Sequence, residues 1–228
     1  MRTALITGAS SGIGRKVALH LAKCGFQVTA CARRENLLSA LAEELGPQHM
    51  VRALDVTKRG AVRTVVSEII DKHGGLDLLF NNAGINVQGT CGIEGEAFDS
   101  VIGTNLTGAW NVLNEVVPHM KLREQGTIIN VSSICGKTAF PDVGIYSASK
   151  FGLLAINESL FRELVPLGIR VTALCPSWVN TDMAVHGPMS DDKKIQTNDI
   201  CTSIDYLLSL SPNAHVKELV LECGSDLI

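Results

Sequence analysis

The sequence predicts an α/β fold, a doubly wound sheet of about seven parallel strands with helices on both faces, on three observations. Short apolar runs recur at 3–7, 26–31, 50–54, 77–80, 127–131, 169–175 and 217–221. The intervals between them carry apolar residues at helical spacing in place of hairpin turns, and crossovers of that length force parallel pairing. The first strand-to-helix junction reads TGASSGIG, Thr7 to Gly14, a glycine-spaced turn suited to a dinucleotide's phosphates.

Taken in order, Thr3-Ala4-Leu5-Ile6 is the first strand, and Ile13, Val17, Ala18 and Leu21 mark the buried face of a helix over 11–24. Gly8 permits the turn, Gly12 lets the backbone approach a ligand, and Gly14 allows close helix-strand packing. The helix N-terminus offers unpaired N–H groups and partial positive charge to a pyrophosphate, and the expected layout is Rossmann-type. Further helices are expected at 34–45, 58–73, 96–122, 145–166 and 199–210, with breakers at Gly25, Gly46-Pro47, Gly74-Gly75, Gly126 and Gly168. Loops at 83–95 and 176–198 follow strand C-termini, the edge where open α/β sheets hold their ligands.

The length of 228 residues suits one domain over 1–228, with no repeat, low-complexity tract or linker. A net charge of -3 gives no electrostatic reason for a nucleic-acid or anionic-membrane partner. With the first strand almost at Met1 and no apolar run long enough to span a bilayer, the expectation is a cytoplasmic protein. Seven cysteines, scattered and never in C-x-x-C spacing, suggest small buried residues in a reducing compartment and no metal site.

The second strand ends Ala32-Arg33-Arg34, with no carboxylate to hold the ribose hydroxyls of NAD. Two guanidinium groups there can pair with the 2′-phosphate of NADP, so NADP is favoured over NAD. Asp55 and Val56 can present a carboxylate and a backbone amide to the adenine ring, and Asn81-Asn82-Ala83-Gly84 closes the fourth strand. Tyr146-Ser147-Ala148-Ser149-Lys150 lies in a helix, and the i,i+4 spacing places Tyr146 and Lys150 on one face. An ammonium there favours tyrosinate, so Lys150 is expected to lower the phenol pKa and make Tyr146 a general acid for carbonyl reduction and a general base for the reverse. Ser133, upstream, can hydrogen-bond the substrate oxygen.

TGASSGIG at 7–14, NNAG at 81–84, Asn105, Ser133 and YSASK at 146–150 together resemble the short-chain dehydrogenase/reductase family in its single-domain form, in order and in spacing, from about residue 2 to 183. The resemblance implies a tetrad. In it Asn105 shapes the site and holds a proton-relay water, Ser133, and not Ser132, orients the carbonyl, Tyr146 exchanges the proton, and Lys150 binds the nicotinamide ribose. It also implies Gly8, Ser10, Gly12, Ile13 and Gly14 around the pyrophosphate, Arg33 near the 2′-phosphate, Asp55, Val56 and Asn82 toward the adenine and ribose, and Val179 and Thr181 at the carboxamide. The chain departs from the family at Pro176-Ser177, where Pro-Gly is usual, and a serine there is strained if positive φ is needed. The substrate loop at about 184–198 is short and polar, which suggests an open or mobile pocket in which His186 is a surface residue and Phe140 and Trp178 each offer a wall.

The implied activity is NADP-dependent hydride transfer, without a metal, between the nicotinamide and a carbonyl or alcohol: a 3-oxoacyl thioester, a 3-hydroxy acid or a small ketone. The alternative is a cofactor-binding regulatory or scaffold protein of the same fold. Surplus apolar positions on 96–122 and 145–166 suggest a homodimer or homotetramer.

Overall fold

The computed structural model describes residues 1–185 and 187–224, so His186 lies outside the described residues. Strands β1 (Thr3–Thr7), β2 (Gln27–Ala32), β3 (Met50–Ala53), β4 (Leu78–Asn81), β5 (Gly126–Val131), β6 (Ile169–Pro176) and β7 (Glu218–Leu221) form one sheet in the order β3-β2-β1-β4-β5-β6-β7. Every neighbouring pair is parallel. The order reverses between β1 and β4, the switch point at which open α/β sheets hold their ligands.

Helices α1 (Gly12–Lys23), α2 (Glu35–Leu45), α3 (Arg59–His73), α4 (Gly95–Ile102), α5 (Ala109–Arg123), α6 (Gly144–Leu164) and α7 (Thr197–Ser209) cover both faces. Strand alternation divides the core. Ala4, Ile6, Leu78 and Phe80 pack with Leu21 of α1, Leu41 of α2 and Ile204 of α7. Leu5, Leu79 and Ile128 point the other way, toward Ile69 of α3, Val116 of α5 and Leu164 of α6. A strand buried on both faces must be apolar throughout, which is why these runs stand out in the sequence.

Most helix ends fall within a residue or two of the sequence expectation, and two differences have a local cause. The helix expected over 96–122 is divided into α4 and α5 by a π-helical segment, Gly103–Gly108, that carries Asn105. Helix α7 starts at Thr197 instead of 199, because Gln196 and Asp199 form a capping box, with the Gln196 amide donating to Asp199 Oδ2 at 2.8 Å.

The glycine turn fits the reading given to it. Gly8 has φ of 68° and Gly12 has φ of 52°, conformations that L side chains rarely adopt. Gly14 is set by space: a Cβ there would lie 2.4 Å from the Gly8 carbonyl oxygen and 2.6 Å from Asn82 Nδ2. All seven cysteines are free thiols; Cys31, Cys175, Cys201 and Cys223 are buried, whereas Cys24 and Cys91 are exposed. Among the described residues no helix is long and apolar enough to cross a membrane.

Gly14→Ala therefore pushes a methyl group into backbone. Overpacking of this kind costs about 1–3 kcal/mol, so thermal denaturation is expected to show a Tm lower by roughly 3–10 °C. An unchanged Tm would mean that the turn relaxes freely.

Candidate active site

A cavity of about 500 Å³ opens at the switch point between β1 and β4. Gly8, Ser10, Gly12 and Ile13 form its floor, Arg33, Arg34, Asp55 and Val56 line one end, and Asn82 and Thr181 complete the expected residues on its wall. Ser11 caps α1 without a side-chain hydrogen bond, and no acidic residue occupies the first turn. The helix N-terminus is thus left with donors for an anion.

Each wall residue is held by a neighbour. Arg34 donates to Ser10 Oγ at 3.0 Å and to Ser11 Oγ at 2.6 Å, so its guanidinium reaches over the glycine turn. Burial would raise the Asp55 carboxyl, but two hydrogen bonds from Thr57 together with Arg33 and Lys58 outweigh it and hold the group below the usual range. The Val56 carbonyl accepts from Asn111 Nδ2 at 2.9 Å. Asn82 serves the turn more than the cavity, donating to the Thr7 and Gly8 carbonyls at 2.9 and 3.4 Å. Thr7 returns the link, its hydroxyl accepting from the Asn82 and Ala83 amides.

Four expected cofactor residues, Gly14, Tyr146, Lys150 and Val179, lie off the wall. Gly14 sits beneath the turn it allows to close. Val179 is buried and bridged to Ile195, so it supports Thr181 from below, and its carbonyl accepts from the Thr181 hydroxyl at 3.2 Å.

Asn105 and Lys150 lie behind the Gly84 part of the wall, with Tyr146 and Ser133 beside Lys150; none of the four is itself a lining residue. Ser133 follows β5 in extended backbone; its Oγ accepts from the Cys135 amide at 3.1 Å and donates to the Pro176 carbonyl at 3.4 Å, and it lies close enough to Tyr146 to act on the phenol. Ser132 turns away and donates to the Lys150 carbonyl at 3.2 Å, which explains why only Ser133 faces the phenol. Lys150, 4% exposed, reaches from α6 to the Val131 carbonyl at 2.8 Å. Its Nζ lies 5.5 Å from the Tyr146 ring centroid and 3.6 Å from the place a Cβ would take on Gly84, which is part of the cavity wall.

Tyr146 corrects one expectation. Its phenol pKa is raised: burial pushes it up, Cys135 adds to this, and the Ser133 hydrogen bond opposes it. Burial likewise pushes the Lys150 ammonium down, to about 8. A protonated phenol is the form that donates a proton to a reduced carbonyl.

Asn105, 1% exposed, spends its amide on structure. Its Oδ1 accepts from the Ile85 amide and its Nδ2 donates to the Ile85 carbonyl, each at 2.8 Å, while Nδ2 also reaches Ser149 Oγ at 3.0 Å. The side chain therefore pins the 83–95 loop to the π-helical segment and to α6.

The substrate loop is tied by its own hydrogen bonds. Lys194, buried, donates to the Ala184 carbonyl and Asp191 Oδ1 at 2.8 Å each. Gln196 donates to the Asp191 and Lys194 carbonyls, and Ile195 exchanges backbone bonds with residues 178 and 180. Among the described residues only Glu124 and Asp142 adopt positive φ without being glycine, so Ser177 carries no such strain. Trp178 packs over Gly187 and Phe140 is exposed; neither lines the cavity. Sequence reasoning missed Ile85, Asn86 and Thr104 on the wall, which belong to no motif.

A sequence profile described as short chain dehydrogenase matches residues 2–190. The chain is 39% identical over 186 residues to an NADPH-dependent pterin aldehyde reductase of Arabidopsis thaliana, covering 80% of this chain and 76% of that protein. Its fold matches the crystal structure of a betaketoacyl-[ACP] reductase from Bacteroides thetaiotaomicron with a TM-score of 0.88 and 36% identity, over 100% of this chain and 99% of the other. A 3-ketoacyl-(acyl-carrier-protein) reductase from Brucella melitensis complexed with NADH superposes with a TM-score of 0.90 at 28% identity, over 98% and 97%.

Asn105→Ala strips both Ile85 backbone groups of their partner. The expected cost is about 2–4 kcal/mol, read by urea denaturation, with faster amide exchange at Ile85. Unchanged protection at Ile85 would contradict the pinning role.

Proposed function

From its membership of the short-chain dehydrogenase family, which makes the chain an NAD(P)-dependent oxidoreductase, we propose that it is an NADP-preferring reductase of carbonyl compounds. The observation that carries this reading is the meeting of the Ser133 hydroxyl, the Tyr146 phenol and the Lys150 ammonium beside the cavity. Relatives named as a pterin aldehyde reductase and a betaketoacyl-[ACP] reductase support a carbonyl substrate, in the class of a 3-oxoacyl thioester or small ketone.

Bound in the cavity, the reduced nicotinamide supplies a hydride. The rest of the chemistry belongs to the protein. Gly12, Ile13 and the free N–H groups of α1 hold the pyrophosphate, and Arg33 and Arg34 take the 2′-phosphate, with Ser10 already bonded to Arg34. Ser133 donates to the substrate oxygen as negative charge develops there, and Tyr146 delivers the proton. Lys150 holds the ribose and, as a cation close to the phenol, replaces electrostatically the proton that Tyr146 gives up.

The protein acts as a homodimer or homotetramer. Phe98 on α4, Trp110 on α5 and Phe151 on α6 are 47%, 37% and 44% exposed, a large apolar display for a free surface. Leu106, Trp110, Gly152 and Ile156 line a groove of about 490 Å³ between these helices.

Purified protein is expected to oxidise NADPH with members of a carbonyl panel. Tyr146→Phe should lower kcat by about 10²-fold or more with NADPH affinity retained, and Arg33→Ala should weaken NADPH about tenfold while leaving NADH little changed. Undiminished turnover by Tyr146→Phe would remove the phenol from the mechanism. Light scattering at micromolar concentration should give two or four times the chain mass of 24.4 kDa, and a single-chain mass would refute the assembly.

A further inference from the structure

Outside the cavity, α1 and α7 bring together three side chains of metal-binding chemistry, one nitrogen, one sulfur and one oxygen donor. His20 and Cys24 stand one helical turn apart at the end of α1, and Asp205 faces them from α7. His20 Nε2 lies 2.8 Å from Asp205 Oδ1 and 3.6 Å from Cys24 Sγ, and the three donor atoms all fall within 4.8 Å of one another. Ligand atoms around tetrahedral zinc stand about 3.3–3.8 Å apart, given bonds of about 2.0–2.3 Å. The cluster is thus within a small side-chain adjustment of that geometry.

We propose that His20, Cys24 and Asp205 form a surface zinc site that joins α1 to α7. The donor set selects the metal class. Thiolate and imidazole favour Zn²⁺ and its neighbours, whereas Mg²⁺ and Ca²⁺ require oxygen ligands throughout. Cys24 and Asp205 are exposed and His20 is half-buried, so a metal can enter from solvent and a water can complete the fourth position. Burial and the Asp205 carboxylate hold the Cys24 thiol above its ordinary pKa, with Arg2 opposing them; binding releases that thiol proton to water. Arg2 itself is turned onto the Phe26 ring, 4.2 Å from its centroid. The expectation of no metal site rested on cysteine spacing alone, and it could not see a cluster whose third donor comes from the far end of the chain.

Metal at this place ties the helix whose N-terminus floors the cavity to the helix that follows the substrate loop. Its role is structural, because His20 and Cys24 occupy the opposite end of α1 from the glycine turn.

The test uses the full chain, reduced and stripped with chelator, titrated with Zn²⁺ against a chromophoric competitor and with Co²⁺ as an optical probe. The wild type should bind one Zn²⁺ and show a thiolate-to-cobalt charge-transfer band. Cys24→Ser should lose the band, and Cys24→Ser, His20→Asn and Asp205→Asn should each weaken Zn²⁺ by more than about tenfold. At a hundredfold excess over Kd, Zn²⁺ should raise the wild-type Tm by about 5–10 °C and leave the Tm of Cys24→Ser nearly unmoved. Equal Zn²⁺ affinity in the wild type and the Cys24→Ser and Asp205→Asn variants, or no binding by the wild type, overturns the proposal. Reductase turnover and circular dichroism of the variants, whose substituted side chains lie away from the cavity, verify that the comparison is made between folded proteins.

Discussion

Everything behind the Gly84 part of the cavity wall depends on the burial of one ammonium group. Lys150 is carried by α6 into the C-terminal edge of the sheet, where the Val131 carbonyl is its hydrogen-bond acceptor. Burial of a cation disfavours its charge, and the group is pushed down to about 8. The fold bears the full cost below that pH and sheds it as pH rises toward the unfolded value of about 10.4. A helix packed for stability alone would carry an apolar residue there. The cost makes sense beside Tyr146, whose phenol burial holds in the protonated form and whose conjugate base needs a cation nearby once the proton has left.

Buried amides hold the surrounding loops in place. Asn82 bonds to the glycine turn, and Asn105 clamps both backbone groups of Ile85. Behind them runs a chain of amides: Asn81 donates to Asn130 at 3.1 Å, Asn130 to Asn157 at 3.0 Å, and Asn157 to the Lys217 carbonyl at 3.3 Å. The chain crosses from β4 through β5 to α6 and so fixes the helix of Tyr146 and Lys150 against the strand edge. Each member is buried and satisfied, a condition under which polar networks specify geometry instead of weakening a core.

The sheet was legible because its inner strands are buried on both faces and are mostly apolar, whereas the edge strands β3 and β7 are partly exposed; strand ends fall within a residue of the sequence reading. The glycine turn, Ser133, Tyr146 and Lys150 were legible because their chemistry demands particular residue types at fixed spacing. Features set by long-range packing were not. Nothing local in Gly103–Gly108 announces a π-helical segment. Ile85 reaches the wall through the loop path and Thr104 through the π-helical segment, and Lys194 reads as a surface charge although it is buried. The pKa of Tyr146 escaped for a related reason: i,i+4 spacing reports that an ammonium is near, whereas desolvation depends on everything packed around both groups.

The most direct measurement of the central claim is a heteronuclear NMR titration of the Lys150 side chain in the cofactor-free protein, with its resonance assigned through Lys150→Arg. A buried ammonium held at the Val131 carbonyl should titrate near the depressed value of about 8. Titration at the ordinary lysine value of about 10.4 would show that the charge is solvated, and the link drawn between burial and proton chemistry would be wrong.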